Sequence, residues 1–260
     1  MSDFPLPYVS NDLSGRVALV TGTTSGLGKR FAQVLANSGA SVALTGRRAD
    51  RLEELAAEIR ATGGTCEPIP FDITQPEQIA EVVDKAESSL GMVDILINNA
   101  GIPDAQRAHK MSNEFADLVF STNLVGPWKL SNEVARRLIE AKKPGRMINI
   151  SSVGGFRYDG NGAALYSVTK SAIVRMTECL AVEWSRFNIN VNAIAPGAFS
   201  SEMMDGMLER MGDFSGSFPR KRICDPAQLD STLLYFLSPH LKRLPALTLK
   251  WMTVRAHADL

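Results

Sequence analysis

The chain has 260 residues, 45% of them hydrophobic and 20 of them glycine, as in a globular α/β protein rich in tight turns. Lys+Arg and Asp+Glu both number 28, so no net field draws nucleic acid or an anionic membrane. Cys66, Cys179 and Cys224 are widely spaced without CxxC, which excludes a disulfide framework and points to structural thiols in a reducing compartment. No basic-then-apolar leader follows Met1 and no apolar run is long enough to span a bilayer, so the expected location is the cytoplasm.

Strand-like and helix-like segments alternate along the chain. Arg16–Thr21 is a short apolar run that enters Thr21-Gly22-Thr23-Thr24-Ser25-Gly26-Leu27-Gly28. In such a turn Gly22 permits a tight bend, Gly26 admits a pyrophosphate, and Gly28 lets the next helix pack closely. Backbone N–H groups and the positive helix end favour a phosphate there, although a glycine turn can also be purely structural. The spacing is GxxxGxG, not GxGxxG. A helix over Phe31–Ser38 ends at Gly39, and Ser41–Thr45 is the next strand. Leu52, Leu55, Ala56 and Ile59 recur at helical spacing. Further strands are expected at Thr65–Pro70, Val93–Ile97, Arg146–Ser151 and Asn190–Ile194, with helices around residues 76–89, 113–140 and 163–187. This βαβα order predicts a doubly wound parallel sheet between two helical layers. We expect one domain over 1–260, with 1–12 an N-terminal extension and 241–260 an atypical tail.

Within the last of those helices lies Tyr166-Ser-Val-Thr-Lys170. Residues four apart share a helix face, so phenol and ammonium are expected side by side. A fixed positive charge lowers the pKa of a phenol, which is otherwise near 10, and makes it a usable general acid or base. An ordinary surface pair is the competing reading.

Six short motifs together resemble the short-chain dehydrogenase/reductase family. They are Thr21-Gly22-x3-Gly26-x-Gly28, Asn98-Asn99-Ala100-Gly101, Asn123-Leu-Val-Gly126, Asn149-Ile-Ser-Ser152, Tyr166-x3-Lys170 and Pro196-Gly197. They occur in family order and cover roughly residues 12–240. The resemblance implies a Rossmann-type fold and hydride transfer between a nicotinamide cofactor and a ketone or alcohol. It implies that Tyr166 exchanges the proton, Ser152 hydrogen-bonds the substrate oxygen, and Lys170 lowers the Tyr166 pKa while holding the ribose. Asn123 would support a proton relay through water to Lys170; a helix-kinking role is its structural alternative. Ser151 competes with Ser152, which is preferred by its spacing from the tyrosine. Cofactor contacts are implied at Gly22, Thr24, Ser25, Gly26, Leu27 and Gly28, at Asp72 and Ile73 beside the adenine, and at Asn99, Ala100 and Gly101. Tyr166, Lys170, Pro196, Gly197 and Ser201 complete that set.

Cofactor choice rests on Thr45-Gly46-Arg47-Arg48, where the second strand ends without a carboxylate. A carboxylate there accepts from the NAD ribose, whereas guanidinium pairs with a 2′-phosphate. NADP(H) is therefore expected, with Arg47 the first contact and Arg48 the second, and NAD(H) as the alternate cofactor. The competing reading of both arginines is a solvated helix start. Met203, Met204, Met207, Met211, Phe214 and Phe218 follow Pro196-Gly197, where the family has a mobile lid, and would suit an apolar ketone or alcohol. His109, His240 and His257 lack metal-ligand spacing. The long central helices imply a homodimer or a homotetramer.

The tail departs from the family, which ends on Thr-Gly, a short strand and Val-Asp-Gly-Gly. Here Leu237-Ser-Pro-His240 leads into a stretch containing Leu247, Leu249, Trp251 and Met252. The single codons of Trp251 and Met252, shifted by one base, force Asp-Asp. Permissive codons allow Thr-Gly-Ala from Leu244–Leu247 and a stop within Ala258-Asp259. We read this as a frame change between about Phe236 and Arg243. Loss of the last strand would bare a sheet edge and leave a non-catalytic nucleotide-binding scaffold or a destabilised remnant as the alternative to an enzyme. The alternation of Leu247, Leu249 and Trp251 instead allows a substitute strand.

Overall fold

The computed structural model describes residues 11–158, 160, 162–218, 220–238 and 248–251. Seven parallel strands form one sheet: β1 (Val17–Thr21), β2 (Ser41–Gly46), β3 (Thr65–Pro70), β4 (Ile95–Asn98), β5 (Gly145–Ile150), β6 (Ile189–Pro196) and β7 (Thr248–Trp251). Their spatial order is β3-β2-β1-β4-β5-β6-β7, so the order reverses between β1 and β4. In open α/β sheets the crevice at such a reversal, outside the carboxyl ends of the strands, is where ligands bind.

Helices cover both faces: α1 (Gly26–Asn37), α2 (Ala49–Ala61), α3 (Gln78–Leu90), α4 (Asn113–Phe120), α5 (Gly126–Glu140), α6 (Ala164–Trp184), α7 (Glu202–Met211) and α8 (Asp230–Leu237). The period-2 alternation of the strands divides the core. Ala18, Val20, Ile95 and Ile97 face Phe31, Leu52, Leu55 and Phe236 of α1, α2 and α8. Val17, Leu19 and Leu96 face Val82, Leu130, Val134 and Ile173 of α3, α5 and α6. Each fully buried Val, Leu, Ile or Phe among them contributes about 1.5–3 kcal/mol. Strands β1, β4, β5 and β6 are buried along their whole length, which explains the apolar run of β1, whereas β5 and β6 also bury Arg146, Asn149, Asn190 and Asn192.

The six expected strands are present, within two residues of their predicted ends. The span expected as one helix at 113–140 is α4 and α5 joined by a π-helical turn, Ser121–Val125. The expected loss of the last strand is not what the structure shows. Thr248–Trp251 pairs with β6 in register Ala193↔Thr248 to Pro196↔Trp251, and Leu249 packs against the α1/α8 core. The tail therefore supplies a substitute strand four residues long. Leu247, the remaining residues of 239–247 and 252–260, and the first ten residues of the N-terminal extension lie outside the described residues.

Candidate active site

The glycine turn behaves as its spacing requires. Gly22 has φ +71° and Gly26 φ +54°, both left-handed. A Cβ on Gly28 would stand 2.1 Å from the Gly22 carbonyl oxygen, so only glycine lets α1 start here. Asn99 fastens this turn to the end of β4: its Nδ2 donates to the carbonyls of Thr21 (2.9 Å) and Gly22 (3.1 Å). In return Thr21 Oγ1 accepts from the N–H groups of Asn99 and Ala100, both at 3.0 Å. The Asn99 side chain thus holds the turn together. Ser25 is the N-cap residue of α1, with its side chain free of the capping bond. Gly26 lies under Ser201, whose Cβ would be 3.0 Å from a Cβ at Gly26. A concave backbone with no side chain at its floor fits a bound pyrophosphate.

At the corner of β2, Arg48 donates to Thr24 Oγ1 (2.7 Å) and forms a paired contact with Glu202 of α7, both at 3.0 Å. Arg47 is exposed and has no hydrogen bond or ion pair among the described residues. Asp72 and Ile73 close the edge strand β3. The Asp72 carboxylate accepts from Thr74 N and Oγ1, and Ile73 is buried against Gly126. Pro196 ends β6, Gly197 follows it, and Ser201 caps α7 by accepting from Met204 N at 3.2 Å.

The proton-transfer residues converge beside this cradle. Tyr166 is half-buried, and the Ser152 hydroxyl lies near enough to its phenol to favour the phenolate. Lys170, buried at 4% exposure, sits with Nζ 5.5 Å from the Tyr166 ring centre and donates to Ile150 O at 2.9 Å. Ser151 is spent elsewhere: it is buried and donates to Lys170 O at 2.8 Å. A Cβ on Gly101 would be 3.4 Å from both Lys170 Nζ and Asn123 Oδ1, so both side chains border that glycine. Asn123 sits on the π-helical turn, fully buried. Its Oδ1 accepts from Ile102 N (2.8 Å), and its Nδ2 donates to Ile102 O (2.9 Å) and Thr169 Oγ1 (3.3 Å). Its side chain is therefore a staple between helix and loop, and the kinked helix was the alternative that its motif left open.

The electrostatics correct one expectation. Lys170 was expected to lower the Tyr166 pKa, but the phenol is held above its ordinary value. Burial is the largest cause, the Asp104 charge adds to it, and the Ser152 hydrogen bond opposes both. Burial also brings the Lys170 ammonium down to about 8. The environment thus moves the two groups toward neutrality, and added charge at this site is strongly felt.

Sequence reasoning missed Asp104 and Glu202. Asp104 is buried at 1% exposure, and its Oδ2 accepts from Leu165 N (2.8 Å) and Tyr166 N (3.1 Å) at the start of α6. Of the expected lid, α7 has no fully buried residue, Met203 and Met211 are exposed, and the Phe214 and Phe218 rings meet edge to face at 5.6 Å.

Residues 16–211 match the model of the short chain dehydrogenase family. An uncharacterized oxidoreductase from Caenorhabditis elegans is 36% identical over 237 residues, which covers 87% of this chain and 74% of the relative. A short-chain type dehydrogenase/reductase from Mycobacterium marinum superposes with a TM-score of 0.88 at 31% identity, covering 92% of this chain and 95% of that one. An actinorhodin polyketide ketoreductase variant solved with NADPH has a TM-score of 0.87 at 28% identity, covering 92% and 96%. The sheet, the glycine turn and these matches agree that this chain belongs to the short-chain dehydrogenase family and is an NAD(P)-dependent oxidoreductase.

Proposed function

We propose that the protein transfers a hydride between NADP(H) and a ketone or secondary alcohol, with Tyr166 as general acid/base. One observation carries this reading: the Tyr166 phenol lies near the Ser152 hydroxyl and beside Lys170 at the carboxyl ends of β4 and β5, next to the glycine turn. In reduction, Tyr166 gives its proton to the substrate oxygen while Ser152 hydrogen-bonds the same atom; in oxidation, Tyr166 takes the proton back. When bound, the nicotinamide supplies or accepts the hydride. The Lys170 cation holds the ribose, and Asn123 keeps the loop carrying Gly101 and Ile102 in place beside it.

Gly46 at the end of β2 and the uncommitted Arg47 favour a 2′-phosphate, in line with the NADPH held by the ketoreductase neighbour. Arg47 is the first contact; Arg48 becomes a second only by leaving Glu202, and NAD(H) is the alternate cofactor. The apolar lid favours an apolar ketone or alcohol. Exposed Phe120, Val125, Trp128, Val168 and Val182 on and between α4, α5 and α6 supply a face for a homodimer or homotetramer. The unpaired thiols of Cys66, Cys179 and Cys224 suit a reducing cytoplasm.

The test is a fluorescence titration with NADPH and NADH, followed by a ketone and alcohol panel on wild type and Tyr166→Phe. Expected is turnover that Tyr166→Phe abolishes while cofactor binding persists. Turnover that survives in Tyr166→Phe overturns the assignment. Binding without any wild-type turnover supports a scaffold, and the absence of both supports a destabilised remnant.

A further inference from the structure

We propose that Asp104 is a positioning residue for Tyr166: from the loop after β4, its carboxylate caps the active-site helix and fixes the phenol against Ser152. The inference rests on the reading of Tyr166 as the acid/base. Helix α6 begins without a cap of its own. Its N-cap residue is Ala163, which has no side-chain oxygen, yet the first N–H groups of a helix need acceptors. Asp104 Oδ2 accepts from two of them, Leu165 N and Tyr166 N, at 2.8 and 3.1 Å. One of these is the backbone amide of the proposed acid/base itself.

The carboxylate is held from its other side as well. Oδ1 accepts from Ala105 N at 2.9 Å, and Ala105 adopts φ +45°, a left-handed conformation that costs energy in a residue with a Cβ. Two residues earlier Asn123 clamps both backbone groups of Ile102, and two residues later Gln106 bridges to Ala163. Gly101, Ile102 and Asp104 therefore join the loop over the glycine turn to the start of α6 as one stiff unit.

Asp104 also acts through its charge. It is almost fully buried, and no lysine or arginine pairs with it among the described residues. Its counter-charge is the positive end of α6. The charged groups that face Tyr166 are Lys170 on its own helix and Asp104 on the loop; Ser152, from the turn after β5, is neutral. The Asp104 charge opposes phenolate formation.

The distinguishing variant is Asp104→Asn, which keeps an acceptor oxygen for the helix amides, gives up the bond from Ala105 N and removes the charge. The acid limb of kcat for alcohol oxidation is expected to move down by about half a pH unit to one unit, because phenolate forms more readily. The phenolate absorbance, taken as the difference between Asp104→Asn and its Tyr166→Phe double variant, should move by the same amount without turnover. Asp104→Ala, which removes the cap too, should lower kcat about tenfold or more with NADPH affinity within about twofold. An Asp104→Asn enzyme whose pH limb and phenolate titration match wild type overturns the inference, whether or not Asp104→Ala folds. Should Tyr166→Phe keep full turnover, the acid/base reading itself fails, so the two failures are separable.

Discussion

The Arg48 guanidinium and the Glu202 carboxylate meet through two parallel contacts of 3.0 Å, joining the corner of β2 to the first turn of α7. This pair bridges the two banks of the proposed cofactor cleft, since Arg48 also holds Thr24 of the glycine turn. Arg48 also holds the Glu202 carboxyl below its ordinary range, chiefly by hydrogen bonding. Both side chains are roughly half exposed, which limits such a pair to about 0.2–1 kcal/mol. Glu202→Gln would free Arg48 and remove a negative charge near the expected 2′-phosphate. NADPH should then bind about two- to fivefold more tightly at low salt, with NADH unchanged and the gain lost at high salt. Fluorescence titration reads this directly, and equal gains for both cofactors would refute it.

Arg47 gives a sharper prediction because it has no competing partner among the described residues. A charge-assisted contact contributes about 1.5–3 kcal/mol, and at an exposed site the lower end applies. Arg47→Ala should raise the NADPH Kd about tenfold and leave the NADH Kd within about twofold. An unchanged NADPH/NADH ratio would reduce Arg47 to a solvated helix start.

Much of this was legible from local pattern. The runs of β1 and β4 are largely apolar because these strands are buried on both faces, and Gly22, Gly26 and Gly28 mark positions where a Cβ would strain or clash. What escaped were bonds between residues far apart in sequence. Asp104 reaches α6 across about sixty positions, and Glu202 reaches Arg48 across more than twice that. One signal was available: a helix that starts at Ala163-Ala164 has no Ser, Thr, Asp or Asn at its N-cap and must borrow an acceptor. Helix α8 was not predicted, because its buried Leu233, Phe236 and Leu237 form too short a run to show a helical period. The tail strand was legible only through the alternation of Leu249 and Trp251; its seat beside β6 depends on tertiary packing.

Asn123 separates a structural from a purely chemical role. Asn123→Ala would leave both backbone groups of Ile102 without their partners, at about 1–3 kcal/mol for each group left unsatisfied and buried. For a chain of this size the two losses together correspond to a fall in Tm of about 4–24 °C. Thermal unfolding of Asn123→Ala checks it. Full loss of turnover at unchanged Tm would show that the staple is energetically idle and that the side chain serves proton movement alone.

Lys170 carries a stability cost whose sign can be read from pH. Burial depresses its pKa from 10.5 to about 8, so between those values the unfolded chain binds more protons than the folded one. Stability associated with this group therefore rises as pH climbs from about 8 to 10.5, and the cost is present in full below pH 8. The shift corresponds to roughly 3 kcal/mol. Lys170→Met, made in a Tyr166→Phe background so that the phenol does not titrate, should thus be more stable than its parent at neutral pH. The gap should close as pH approaches about 10. Turnover in the single Lys170→Met variant should fall sharply, the exchange of stability for function that a buried active-site charge entails. Denaturant unfolding at neutral and alkaline pH measures the gap, and a gap independent of pH would mean that Lys170 is not held near neutrality by burial.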